Sequence, residues 1–153
     1  MNKHLIFLVY FCSAMLAGAT GWRPDDRLLS AICQIESSGG LYVYGDGGLS
    51  LGHFQFQKAA WSDVSQWRQK RNLETHGYHP GVLDPQISRS YAADYLTIIY
   101  ERLHKQYRRQ PLPSELYAAY NMGLNKFRQC NYDLARINRI TAGKCHQLSA
   151  LLR

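Results

Sequence analysis

"AICQIESSGGLYVYGDGGLSLGHFQFQKAAW", residues 31–61, places a glutamate where an apolar pattern stops and a glycine-rich stretch begins. Leu29, Ile32 and Cys33 recur three and four residues apart, the spacing of one helix face, and Glu36 falls on that face. The end of a helix favours cations, so a carboxylate there argues for a role other than stability. Carried on the core-facing side it is partly desolvated, the setting in which a carboxyl group keeps its proton and serves as a general acid. Residues 37–51 hold five glycines and read as a loop or short hairpin.

Further along, Asp84-Pro85 signals a helix start, a capping side chain followed by a proline suited to the first turn. Ile87, Tyr91, Tyr95, Ile98 and Leu103 then recur at near-helical spacing. A third helix is expected after Pro113, capped by Ser114 and ended by Gly123. Two short helices, "DLARINRI" and "HQLSALLR", follow, with a turn at Ala142-Gly143 between them. The expected fold is mainly α, with a small β or irregular excursion after Glu36.

At 153 residues and 46% hydrophobic content the chain supports one core. Its N-terminus carries Lys3, an apolar run from Leu5 to Leu16, and Ala17-Gly18-Ala19, the small-x-small pattern of a signal-peptidase site. The run is shorter than the roughly 20 apolar residues of a spanning helix. Residues 1–19 therefore read as a secretory signal and 20–153 as the mature domain, which places the protein across the inner membrane, periplasmic or extracellular. The formal charge falls from +7 to +6 when Lys3 is removed. A basic domain suits nucleic acid, an anionic membrane or an anionic cell wall. The runs "RQKR" (68–71) and "YRR" (107–109) read as solvated helix faces, so no nucleic-acid partner is expected.

Cys12 leaves with the signal, and an exported chain meets an oxidising compartment. Cys130 and Cys145 close a short loop and are the expected disulfide, with Cys33 a buried free thiol. The cysteines and six histidines show no metal-ligand spacing. No metal and no cofactor is expected.

The motifs Glu36-Ser37, Gly52-His53-Phe54-Gln55 and Ala119-Tyr120-Asn121-Met122-Gly123, with Tyr95-Leu96 between the second and third, resemble the lysozyme-like superfamily in this order. They are most similar to the soluble lytic transglycosylases over about residues 25–125. The stretch "GDGGLSLGHFQFQ" also resembles the invertebrate-type and goose-type lysozymes. The resemblance implies an α+β lysozyme-like fold and an enzyme acting on peptidoglycan strands, between N-acetylmuramic acid and N-acetylglucosamine. For a transglycosylase it implies that Glu36 works alone, first as acid and then as base toward the muramoyl 6-hydroxyl, leaving a 1,6-anhydro end. For a hydrolytic muramidase Asp46 is the second catalytic carboxylate; as plain structure, Asp46 is a turn residue. Ser37, Gln55, Tyr95, Tyr120 and Asn121 are the implied substrate contacts. A non-catalytic peptidoglycan-binding module is the remaining alternative. A small secreted enzyme without a wall anchor, expected to be a monomer, is similar to those that open gaps for envelope-spanning secretion or conjugation machinery, by analogy alone.

Overall fold

The computed structural model describes residues 21–153, so the expected signal segment lies outside the described residues. Helix α1, Asp26–Ser37, begins where the Asp25 carboxylate accepts the Leu28 amide at 2.7 Å. It buries Leu28, Leu29, Ala31 and Ile32, and it stops at Ser38, whose φ of 52° turns the chain left-handed. Strands β1, Tyr44–Gly45, and β2, Ser50–Leu51, pair antiparallel across a 3-10 turn at Asp46–Gly48. The expected excursion is thus a two-stranded hairpin.

Helix α2, Lys58–Gln69, and the short α3, Tyr78–Leu83, come next. Neither was marked by the sequence patterns above. Helix α4, Pro85–Tyr107, starts at the expected signal: Asp84 accepts the Gln86 and Ile87 amides at 2.9 and 2.8 Å. It runs through the core, with Tyr91, Ala92, Leu96, Ile99 and Leu103 fully buried. Helix α5, Pro113–Met122, is capped two residues earlier than expected, at Leu112, because the Glu115 carboxylate reaches back to the Leu112 amide at 2.7 Å and Ser114 is already helical. Helix α6, Leu124–Gln129, follows Gly123 directly.

The C-terminal pattern is corrected most. Leu134–Arg136 forms only a 3-10 turn, and one helix, α7, Arg139–Leu151, runs straight through the expected Ala142-Gly143 turn. Asn138 caps it by accepting the Thr141 amide at 2.9 Å, and Thr141, Cys145 and Leu148 form a buried stripe. That stripe outweighs the roughly 1 kcal/mol that an interior glycine costs relative to alanine.

Two further expectations fail for identifiable reasons. Cys130 and Cys145 are free thiols, not a disulfide: Cys145 sits on the buried stripe of α7 with its thiol on the Ser114 carbonyl, while Cys130 ends α6. Burial pushes the Cys145 thiol up to about 11. Cys33 is free as expected, though only half-buried. The "RQKR" run is not wholly a solvated face either. Arg68 is 11% exposed and pairs with the buried Asp94 at 2.8 Å, because a carboxylate inside the fold requires a counter-charge.

Candidate active site

Glu36 occupies the last turn of α1, and its side chain is 5% exposed. Its Oε1 accepts the Tyr117 hydroxyl and the Asn121 Nδ2, the latter at 3.1 Å. Its Oε2 accepts Lys144 Nζ at 2.9 Å. Tyr117 and Asn121 lie one helical turn apart on α5, which is why one face of that helix supplies both. Burial, then the charge of Glu36 and the hydrogen bond to it, raises the Tyr117 phenol well above its ordinary range. Tyr117 therefore remains a donor. Lys144 comes from α7, as does Thr141, whose hydroxyl donates to Asn121 Oδ1 at 2.9 Å.

A groove of about 440 Å³ opens above Glu36. Asp46, Gln55, Tyr95, Tyr120 and Asn121, all expected site residues, line it. A second depression of about 560 Å³ shares Tyr95, Met122 and Lys126 with it and continues past Trp67 and Arg102. Tyr120 stands in the groove wall with its hydroxyl on the Phe54 carbonyl at 2.8 Å, and its ring meets that of Tyr95 at 5.4 Å. Burial is the first cause holding the Tyr120 and Tyr95 phenols above their ordinary value; the charge of Glu36 adds for Tyr120 and that of Asp63 for Tyr95.

The Gly52-to-Gln55 motif has a mechanical explanation. Gly52 has φ of 79°, and a Cβ there would lie 1.9 Å from the Val82 carbonyl oxygen, so only glycine fits. Gln55 then donates Nε2 to the Gly52 and Tyr42 carbonyls at 2.9 and 3.2 Å, which holds the hairpin against the groove. Its Oε1 fills the space in which Gly45 has no side chain.

Ser37 is corrected from substrate contact to fastener. It is 2% exposed, donates to the His53 carbonyl at 2.7 Å and accepts the Gly40 amide at 2.9 Å. Asp46 is exposed at the hairpin turn, with φ of 49°, and its Oδ2 accepts the Ser50 hydroxyl at 2.8 Å. It is both a turn residue and part of the groove wall.

Tyr117, Thr141 and Lys144 were missed from sequence. Tyr117 was recoverable, four residues before Asn121 on the same helix face. The other two were hidden behind the glycine that read as a turn. Among the described residues no cluster of histidine, cysteine, aspartate or glutamate is arranged to hold a metal, and no helix is long and apolar enough to cross a membrane.

The arrangement can present one acid at the base of a groove to a bond lying along it. No curated protein and no solved structure matches the chain. The family model of the transglycosylase SLT domain matches residues 13–135, which takes in Glu36, the Gly52-to-Gln55 motif and α5 but leaves out α7. The chain belongs to the transglycosylase SLT family, whose members are lytic transglycosylases acting on peptidoglycan, and it has their mainly α, lysozyme-like fold.

Proposed function

We propose that this protein cleaves the β-1,4 bond between N-acetylmuramic acid and N-acetylglucosamine without adding water, leaving 1,6-anhydromuramoyl ends. Glu36 gives its proton to the glycosidic oxygen as the bond from the muramoyl C1 breaks. The same carboxylate then takes the proton of the 6-hydroxyl as O6 closes onto C1. The proton returns to Glu36, and the elements balance without water.

The observation that carries this reading is the contrast between the two carboxylates of the groove. Glu36 is 5% exposed and held on both oxygens by α5 and α7, whereas Asp46 is exposed and tied to a turn serine. One carboxylate is fixed as a reacting group is fixed; the other is fixed as a turn is fixed. The hydrolytic reading has one observation in its favour, that Asp46 lines the same groove.

Export of the chain through residues 1–19, action as a monomer in the periplasm or outside the cell, and service to an envelope-spanning machine belong to the same proposal. They are supported by the apolar run and the small-x-small pattern at Ala17-Gly18-Ala19, and by analogy.

Digesting peptidoglycan in heavy-oxygen water tests the chemistry. Mass spectrometry should find muramoyl ends one water lighter than reducing ends and free of label. Label at every new end would make the protein a hydrolase.

A further inference from the structure

The contact between Lys144 and Glu36 is at odds with the role of Glu36 as an acid. An ammonium group offers only hydrogens, and it lies 2.9 Å from Glu36 Oε2. Oε1 already faces two donors, the Tyr117 hydroxyl and the Asn121 amide, so the transferable proton belongs on Oε2, where it would set donor against donor with Lys144. Lys144 must therefore turn aside before Glu36 can hand a proton to the glycan, and the structure lets it. Its side chain is 28% exposed against 5% for Glu36, and it faces the open groove on a flexible four-carbon stem. Its backbone stays where it is, because Thr141 and Cys145 on the same helix are buried.

Removing a charge from a shielded ion pair is unfavourable unless another partner replaces the first. Within the groove the other carboxylate is Asp46, which already accepts the Ser50 hydroxyl at 2.8 Å. The replacement must then arrive with the ligand. A muramoyl residue bears a carboxylate, on its lactyl group or on an attached peptide; N-acetylglucosamine bears none. Lys126 lines the same groove and adds a second positive charge to the field that an acidic strand would meet.

We propose that Lys144 is a specificity-determining residue: a carboxylate of the muramoyl residue draws its ammonium away from Glu36, and this exchange couples recognition of an acidic glycan to release of the acid. This rests on the peptidoglycan-cleaving function above. Lys144 lies on α7, outside the family-matched residues, so the device belongs to this chain's own C-terminal helix.

The test is a cycle between enzyme and substrate. Wild type and Lys144→Met are given peptide-free glycan strands with free lactyl carboxylates, and the same strands with those groups converted to neutral methylamides. Wild type should lose about tenfold or more in kcat/KM on the neutral strands. Lys144→Met should cut both alike, and faster than wild type cuts the neutral strands because no ammonium then holds Glu36, and Lys144→Arg should restore the preference. Strands still carrying peptides, whose lactyl carboxyl is already an amide, tell which carboxylate is read. They are cut like acidic strands if the peptide's carboxylates serve, and like neutral ones if the lactyl group is required.

A binding arm needs no turnover. In Glu36→Gln the ammonium has lost its anionic partner, so calorimetry should find acidic strands bound more tightly than neutral ones, and adding Lys144→Met should erase the difference. A preference that survives Lys144→Met, in rate or in binding, overturns the proposal, as does equal treatment of both strands by wild type. Binding preference without any cleavage by wild type would instead overturn the catalytic reading and leave Lys144 as the reader of the carboxylate.

Discussion

Thr141 donates its hydroxyl to Asn121 Oδ1 at 2.9 Å, and the Asn121 amide is thereby turned so that Nδ2 meets Glu36 Oε1 at 3.1 Å. An amide can present either end to a carboxylate, and only the NH₂ end is useful here. Thr141, 2% exposed and capped by Asn138, makes that choice from a helix beyond the family-matched residues.

Replacing Thr141 with valine keeps the shape and removes the hydroxyl. Asn121 is then free to flip, and kcat should fall by roughly tenfold to a hundredfold, the scale of a misplaced catalytic group. KM should change little, since Thr141 does not line the groove. Thr141→Ser should recover most of the rate, because it restores the donor. Equal losses in kcat and in thermal stability that serine does not rescue would reduce Thr141 to packing.

Glu36→Gln should lower cleavage by ~10²-fold or more, since the amide has no proton to transfer in the required sense. The fold should survive, because the amide oxygen still accepts from Tyr117 and Asn121. Near-normal release of soluble fragments by this variant would remove Glu36 from the mechanism.

These residues show where sequence reasoning reached and where it stopped. Glu36 was legible because it broke a rule, a carboxylate on an apolar face at a helix end. The start of α4 was legible because a cap and a proline act locally, through hydrogen bonds within one turn. Lys144 and Thr141 were not legible, because their contribution depends on α7 packing against α1 and α5, and Gly143 pointed to a turn at that place. The same limit hid Arg68. Its neighbours in sequence are a basic run, while its partner Asp94 stands 26 residues away on α4. The cysteine expectation erred in the same way: proximity along the chain was taken for proximity in space, and the buried stripe of α7 decided otherwise.

The buried phenols set the behaviour at high pH. Tyr95, Tyr117 and Tyr120 are all raised above the ordinary value of 10.0, burial being the first cause, and Tyr107 is raised to about 12 by burial and then by Glu115. The unfolded chain releases these protons at about pH 10 while the folded chain keeps them. The stabilisation is complete below pH 10 and is lost as pH climbs from there toward the folded values. Chemical denaturation midpoints should accordingly fall steadily above pH 10, less steeply in Tyr117→Phe. Absorbance titration should find part of the tyrosine signal appearing only with unfolding. A smooth titration of every tyrosine in the folded protein would contradict this.

Asp46 separates charge from turn geometry. It sits at φ of 49° and accepts the Ser50 hydroxyl at 2.8 Å. Asparagine tolerates that left-handed conformation and keeps an acceptor oxygen, but carries no charge. Alanine loses the acceptor and fits the conformation poorly. If the aspartate serves the turn, Asp46→Asn should cost less than about tenfold in rate, well short of an acid–base group. Asp46→Ala should lower stability by about 0.5–1.5 kcal/mol, the net worth of a lost hydrogen bond, with some added strain at the turn. If the aspartate serves chemistry, the order inverts: asparagine alone would abolish cleavage while leaving the melting temperature untouched. Rates and melting curves for the two variants, measured on one preparation of peptidoglycan, decide whether the charge at the groove mouth takes part in the reaction or only shapes the hairpin beside it.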